Sequence, residues 1–168
     1  ARLPHPTCVR TRAVGTGVTD FRDALDDSRF GFEIFWLHAS VQGAQAKQEI
    51  ISGLQRFSKD PMVDLIVLIR GGGSAGDLSV FNDYEVAKAI CLCPLPVLSA
   101  IGHQADHSSA QDVSYRSFGV PKDVGRFLAD IVLDLRARYQ EALATISRYA
   151  AQRLELLQSA LSAVSQAL

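Results

Sequence analysis

The stretch VDLIVLIRGGGSAGDLSVFND, from Val63 to Asp83, is the strongest single indication of the fold. Its run from Leu65 to Ile69 contains only apolar residues, which is typical of a strand buried on both faces of a parallel sheet. Arg70 and a glycine run follow directly. Bare glycine amides can approach an anion closely, but a glycine run also permits an ordinary tight turn. The stretch therefore predicts a buried strand, followed either by a turn or by an anion-binding segment.

Apolar patterns on both sides of this stretch predict the remaining elements of the fold. The predicted strands span residues 7–14, 32–39, 63–69 and 95–101. The predicted helices span residues 19–27 (with Thr19 as N-cap), 44–60 and 77–93. Because strands alternate with helices, we predict an α/β fold of flavodoxin or Rossmann type. It would have a parallel sheet of about four strands with helices on both faces, followed by a long C-terminal helix.

The chain after Pro121 follows a different pattern. Its apolar residues recur at intervals of three and four up to Leu168, as in a coiled-coil seam. A helix over residues 122–168 would be roughly 70 Å long, which is too long to pack wholly on a small α/β domain. We therefore predict an α/β domain at 1–120 and a coiled-coil or partner-binding helix at 121–168. A terminal helix packed along its whole length is the alternative.

The composition limits the classes of function. The chain has 168 residues and a net charge of −1, so any polyanion would have to be bound by local groups rather than by a basic surface. Its three cysteines do not suggest a disulfide framework, because Cys91 and Cys93 are too close in sequence for an easy bridge. We expect reduced, buried thiols in a cytoplasmic protein. No apolar segment is long enough to span a membrane, and we expect no membrane association.

Polar residues that can carry chemistry follow three of the predicted strands. Asp20 follows the first strand, Arg70 the third, and "GHQADH" with His103 and Asp106 the fourth. In a parallel sheet the carboxyl ends of strands share one edge, and ligands bind there. Three glycines and a serine follow Arg70, namely Gly71, Gly72, Gly73 and Ser74. This segment lacks the residue spacing of a P-loop and of a dinucleotide-binding fingerprint.

These residue types predict a phosphodiester site. Arg70 and bare amides suit a phosphate, and His103 near a carboxylate suits proton transfer. Two alternatives stay open on the spacing alone. His103 is equally well explained as a polar loop cap, and a histidine with two aspartates also suits a divalent ion.

Two long motifs resemble a known family. "DLIVLIRGGGSAGDLSVFNDYEVAKAI" and "PLPVLSAIGHQAD" are similar to the large subunit of bacterial exodeoxyribonuclease VII. That family carries R-G-G-G-S-x-x-D-L-x-x-F-N, then V-A-x-A-I, then P-V-x-S-A-x-G-H-E-x-D. The resemblance covers residues 7–120, and the C-terminal helix has the character of the family's coiled-coil segment.

The resemblance implies an exodeoxyribonuclease that hydrolyses phosphodiester bonds in single-stranded DNA and releases short oligonucleotides. It implies catalytic roles for Arg70, His103 and Asp106. The family's aspartate after the first strand falls on Asp20 without gaps, and Asp23 is the competitor if a small gap is allowed. No cofactor is obligatory in the family. If a divalent ion such as Mg²⁺ is used, Asp20 and Asp106 would bind it.

The resemblance also implies two partners, and the sequence leaves other functions open. The implied partners are single-stranded DNA and the small subunit of the enzyme, bound along the C-terminal helix. We further expect self-association through residues 130–168. Gln104 stands where the family has glutamate and Arg12 where serine is usual, so a catalytically weakened homologue that assembles or binds DNA is one alternative. A nucleotide- or phosphate-binding α/β module is the other.

Overall fold

A computed structural model describes most of the chain. The described residues are 10–15, 18–40, 43, 45–70, 78–102 and 108–166, with side chains described from residue 19 onward. The strands are β1 (Arg10–Gly15), β2 (Glu33–Leu37), β3 (Leu65–Ile69), β4 (Val97–Ala100) and β5 (Arg116–Ser117). The helices are α1 (Val18–Asp27), α2 (Ala46–Ser58), α3 (Tyr84–Cys91), α4 (Ser109–Asp112) and α5 (Pro121–Gln166). A 3₁₀ turn at Ser79–Asn82 precedes α3.

The strands form one parallel sheet in the order β2-β1-β3-β4-β5. This 2-1-3-4-5 order is the one found in flavodoxin-like folds. The predicted α/β class, the parallel sheet and the long C-terminal helix are confirmed. The four predicted strands correspond to β1 through β4. The short strand β5 has two residues and is too short to leave a recognisable apolar pattern.

The central strand β3 is buried on both faces, as its uninterrupted apolar sequence predicts. Side chains of a strand alternate between the two faces of the sheet. Ile66 and Leu68 accordingly pack in one core cluster, while Val67 and Ile69 pack in the other. The first cluster includes residues of α2 and α3, and the second includes residues of α1 and the start of α5.

Helix α2 covers its face of the sheet through residues spaced one turn apart. Ile50, Leu54 and Phe57 recur at intervals of four and three and are all buried. Val86 and Ile90 of α3 bury their side chains in the same cluster. Each such side chain stabilises the fold by about 1.5–3 kcal/mol relative to an exposed position.

Gly125 allows α5 to approach α1 closely on the other face. A Cβ atom added to Gly125 would lie 2.7 Å from Cβ of Ala24 and 2.8 Å from the carbonyl oxygen of Phe21. Val124 and Leu128 on the same part of α5 are buried in the second core cluster. The first turns of α5 therefore complete the core of the sheet, and glycine is the residue that leaves room for them.

Two predicted helix starts differ from the structure. The predicted helix 77–93 divides into the 3₁₀ turn and α3, because Asp83 has an extended backbone and its side chain accepts a hydrogen bond from the N–H of Glu85 at 2.8 Å. Asp83 is thus an N-cap rather than an interior residue. Thr19 lies inside α1, which begins at Val18, so its prediction as the N-cap is wrong.

The cysteines differ in part from the expected buried thiols. Cys91 is exposed and Cys93 is half-buried, and both are free. The prediction of burial is therefore wrong for Cys91. Cys8 lies outside the described residues.

The chain forms two compact units, residues 1–130 and 131–168. We call them the α/β unit and the helical unit. The domain division after residue 120 stays a prediction. In the part of the chain that the structure describes, no helix is both long and apolar enough to cross a membrane.

Candidate functional site

The carboxyl ends of β1, β3 and β4 lie side by side. Gly15 pairs with Ile69, and Ile69 pairs with Ala100. Neighbouring strands of a sheet are about 4.8 Å apart. The carboxyl ends of these three strands therefore share one edge of the sheet, which we call the carboxyl edge.

Arg70 is the first residue beyond β3 at this edge. Its backbone N–H donates a hydrogen bond to the carbonyl oxygen of Ala100 at 2.9 Å, which holds the exit of β3 against the exit of β4. Its side chain is half-buried. A guanidinium group carries a planar fork of donors that matches phosphate oxygens. Arg70 is therefore placed where an anionic ligand of the sheet would bind.

Asp20 approaches the same edge from α1. It lies in the first turn of that helix, directly after the exit of β1, and it is exposed. A carboxylate is stabilised near a helix N-terminus by the partial positive charge there. Asp23 is exposed too, but it lies one turn further along α1, about 4.5 Å further from the edge. Of the two candidates, Asp20 has the position nearer to the carboxyl edge.

The remaining predicted site residues belong to two segments outside the described residues. Segment 71–77 contains Gly71, Gly72, Gly73 and Ser74, and segment 103–107 contains His103 and Asp106. Arg70 leads into the first segment and Gly102 into the second. Arg70 and Gly102 follow β3 and β4, which are paired neighbours in the sheet.

A polar side-chain contact links α2 to the start of α3. Nζ of Lys47 lies 3.0 Å from Oδ2 of Asp83, and both side chains are partly exposed. The hydrogen bond from Lys47 lowers the pKa of Asp83 below its usual value, and the backbone N–H of Glu85 lowers it further. Asp83 therefore stays ionised while it caps α3 and binds α2.

A second polar contact links the 3₁₀ turn to α4. The backbone N–H of Ser109 donates to Oδ1 of Asn82 at 2.8 Å. The residue before it, Ser108, is buried, and its backbone N–H and hydroxyl both donate to Oε1 of Gln111 at 3.1 and 3.0 Å. The start of α4 is thus held by its own capping box and by Asn82.

The exit of β2 is stabilised in a similar way. The backbone N–H of Ser40 donates to Oε2 of Glu49 at 2.6 Å. This hydrogen bond lowers the pKa of Glu49 below its usual value, so the carboxylate is ionised where it anchors the connection to α2.

Lys47, Asn82 and Asp83 are not among the site residues predicted from the sequence. An aspartate directly before an apolar helical pattern is a recognised N-cap signal, and it identifies Asp83 in retrospect. Asn82 belongs to the F-N pair of the family pattern quoted above. The partners of Lys47 and Asn82 are 36 and 27 residues away, and no local pattern indicates contacts at that separation.

Within the described residues, no group of three or more His, Cys, Asp or Glu side chains is suited to a metal ion. Asp106, one of the two carboxylates expected to bind a divalent ion, lies outside them.

The strand order defines a doubly wound α/β protein, a class in which ligands bind at the carboxyl ends of the strands. The sequence profile of the family described as "Exonuclease VII, large subunit" matches residues 1–168, and the chain belongs to that family. The resemblance drawn from the two motifs is therefore confirmed.

Relatives with the name "Exodeoxyribonuclease 7 large subunit" match over much of the chain. The protein of Moorella thermoacetica is 33% identical over 165 residues, which cover 98% of this chain and 41% of the relative. That of Koribacter versatilis is 30% identical over 154 residues, covering 92% of this chain and 33% of the relative. That of Acaryochloris marina is 38% identical over 95 residues, covering 56% and 23%. The chain thus spans less than half the length of these relatives.

Proposed function

We propose that this chain is the catalytic part of an exonuclease VII large subunit and hydrolyses phosphodiester bonds in single-stranded DNA, releasing short oligonucleotides. Membership of the family carries the proposal. The strand order supports it, because a 2-1-3-4-5 sheet opens a ligand crevice between β1 and β3. Asp20 and Arg70 follow those two strands.

In the proposed reaction, Arg70 and the amides of the glycine run bind the scissile phosphate. The oxygen of a water molecule forms a bond to phosphorus while the bond to the leaving sugar oxygen breaks. His103 accepts a proton from the water as general base, or donates a proton to the leaving oxygen as general acid, which typically contributes about 10²–10⁴-fold. Asp106 orients the imidazole, and Asp20 positions the water.

We propose that no cofactor is obligatory for this reaction. If Mg²⁺ takes part, Asp20 and Asp106 supply the carboxylate oxygens that this ion prefers. Cleavage measured with excess chelator tests this. Activity that persists supports the proposal, and complete loss that Mg²⁺ restores contradicts it.

Cleavage of a fluorescent single-stranded oligonucleotide by the full-length large subunit with its small subunit tests the assignment. Arg70→Ala and His103→Ala should each lower the rate by about 10²–10³-fold or more. Arg70→Lys keeps the charge but loses the fork of donors and should also be impaired. Arg56→Ala is the matched control, because Arg56 is an exposed arginine in the last turn of α2. Wild-type rates in the Arg70 and His103 variants would reject the proposed site.

The same experiment separates the two alternative functions. A catalytically weakened homologue would bind the oligonucleotide without degrading it beyond the Arg70→Ala background. A nucleotide-binding module would bind mononucleotides in calorimetry and would leave DNA intact.

We further propose that the helical unit binds the small subunit and associates with other copies of the chain. Its apolar residues repeat along α5 and are largely exposed, including Leu143, Leu157 and Leu161. Exposed apolar seams of this kind are typical of helices that pack against other helices. Light scattering of the chain at micromolar concentration tests self-association, and a monomer throughout would contradict it.

We also propose the cytoplasm as the place of action. Free cysteines such as Cys91 and Cys93 are typical of reducing compartments. Fractionation of cells that carry a tagged protein tests this, and recovery outside the cytoplasmic fraction would contradict it.

A further inference from the structure

We propose that Arg116, on the edge strand β5, binds a phosphate of single-stranded DNA at a position separate from the scissile phosphate. This inference rests on the proposed function, which supplies the substrate. It directs the DNA from the carboxyl edge towards β5 and away from β2. Arg116 is then a binding residue and takes no part in the chemical step.

Two aromatic rings hold the guanidinium of Arg116. Its Cζ atom lies 4.4 Å from the centre of the Phe127 ring and 5.4 Å from that of Phe118. The two ring centres are 5.3 Å apart, and both side chains pack against the second core cluster. A guanidinium stacked in this way presents its donors at the edge of its plane, and it loses little conformational entropy when it binds a phosphate.

The charge of Arg116 is available to a ligand. Arg116 is exposed, and among the residues that the structure describes no carboxylate pairs with it. Other arginines of this unit differ in this respect. Arg22 lies 3.6 Å from Asp26. Arg126 lies 3.7 Å from Asp123.

Strand β5 brings Arg116 close to the carboxyl edge. Arg116 pairs with Leu98, and Ser117 pairs with Ser99. The N–H of Phe118 donates to the carbonyl oxygen of Ser99 at 2.8 Å. The end of β5 therefore lies at the carboxyl edge, two strands or roughly 10 Å from the end of β3. DNA bound at that edge reaches Arg116 within a few nucleotides.

The regions around the two edge strands carry opposite charge. Next to β5, residues 114–128 contain three cationic side chains and one carboxylate, a net charge of +2. Next to β2, residues 18–33 contain five carboxylates and two arginines, a net charge of −3. A polyanion is attracted to the first region and repelled by the second. Charge complementarity therefore favours a path of the DNA along β5.

The experiment measures how the full-length large subunit, in complex with its small subunit, binds a fluorescent phosphorothioate oligonucleotide that resists hydrolysis. Fluorescence anisotropy at several salt concentrations gives Kd and its salt dependence. Arg116→Ala removes the whole side chain, and Arg116→Gln removes the charge but keeps the aliphatic stem on the rings. Arg22→Ala is the matched control, because Arg22 is an exposed arginine of α1, the helix that leads to β2.

We expect Arg116→Ala and Arg116→Gln to raise Kd about 3- to 10-fold at low salt. The slope of log Kd against log salt concentration should fall by about 0.7, the value for one phosphate contact on a single strand. Arg22→Ala should stay within about twofold of wild type. In cleavage of an ordinary oligonucleotide, the Arg116 variants should raise KM by the same factor, with kcat changed less than about twofold.

Three results would overturn this role of Arg116. The first is wild-type affinity in Arg116→Gln, which is the decisive variant if Arg116→Ala loses stability. The second is weaker binding with an unchanged salt slope, which would indicate lost packing on Phe118 and Phe127 rather than a lost phosphate contact. The third is equal weakening by Arg22→Ala, which would indicate a general effect of charge.

Separate measurements of binding and cleavage keep this inference distinguishable from the proposed function. If the wild-type complex binds the oligonucleotide through Arg116 but does not cleave DNA, only the proposed function fails. If the complex cleaves DNA and the Arg116 variants bind as the wild type does, only the role of Arg116 fails. A wild-type complex that does not bind the oligonucleotide would contradict both.

Discussion

The α/β unit and the helical unit use their apolar residues in opposite ways. In the α/β unit, side chains such as Ile50, Ile66 and Phe81 are completely buried. In the helical unit, the large apolar side chains from Leu133 to Val164 are exposed, from 46% for Leu143 to 72% for Leu161. Both regions have clear apolar periodicity, so periodicity indicates that a surface is meant to be covered and does not say by what. The first unit covers its own surfaces, and we infer that the second needs other chains.

The side-chain hydrogen bonds of the two units differ as well. In the α/β unit, some of them join residues far apart in sequence, as Asn82 with Ser109 and Lys47 with Asp83 do, beside others that are local. In the described part of the helical unit, the side-chain hydrogen bonds of Arg148 with Thr145 and of Ser159 with Leu156 join residues three apart. Long-range contacts specify a tertiary structure, whereas local ones only support a helix.

The largest expected effect contrasts a buried residue with an exposed one. Phe81→Ala should lower the free energy of unfolding by about 3–5 kcal/mol, because it leaves a cavity in a closed core. Leu157→Ala in the helical unit should change it by less than about 0.5 kcal/mol in the unassociated chain. Urea unfolding followed by circular dichroism measures both. Similar losses of unfolding free energy in the two variants would contradict the difference in burial between the units.

A smaller effect is expected where α5 contacts α1. Gly125→Ala should destabilise the α/β unit by about 1–3 kcal/mol, because the added methyl group overlaps Ala24 and Phe21. This outweighs the helix propensity gained, about 1 kcal/mol. Gln158→Ala in the exposed part of the same helix is the control, and it should be neutral or slightly stabilising. Stabilisation by Gly125→Ala would show that the close approach is not maintained in solution.

Charged substitutions in the helical unit should weaken partner binding only when they lie on the exposed apolar side of α5. The double variant Leu157→Asp, Leu161→Asp should weaken binding of the small subunit at least about tenfold, because it places two carboxylates in an apolar interface. Ser159→Asp, on the opposite side of the helix at about 100° per residue, should bind normally. Co-purification followed by calorimetry measures this. Equal weakening by Ser159→Asp would argue against a one-sided interface.

The smallest expected effect concerns pH. The hydrogen bond from Lys47 lowers the pKa of Asp83 below its ordinary value of 3.8. The contact therefore stabilises the folded state fully at pH values above 3.8. This stabilisation is lost as the pH falls through the lowered pKa of the folded state. Asp83→Asn should therefore be less stable than wild type at neutral pH, and the difference should narrow in acid below about pH 4. Unfolding midpoints measured across this range test it. A difference that stays constant down to pH 2 would exclude ionisation as the cause.

Several features of the fold and of the site follow from the sequence. The uninterrupted run Leu65–Ile69 predicts a strand buried on both faces, because no position in it is suited to solvent. The alternation of strands with helices predicts a parallel sheet, and Arg70 follows at the strand end where ligands of such sheets bind. The two family motifs lie in the same region and indicate the family without any coordinates.

Other features were decided only by tertiary structure. The order β2-β1-β3-β4-β5 places Arg70 beside the end of β4, and the contact of Asn82 with Ser109 spans 27 residues. The division of the predicted helix 77–93 at Asp83 is stabilised in part by Lys47 of another helix. Periodicity along a chain indicates which face of an element is suited to burial. It does not record which distant residue buries it, since that depends on how complete elements pack against one another.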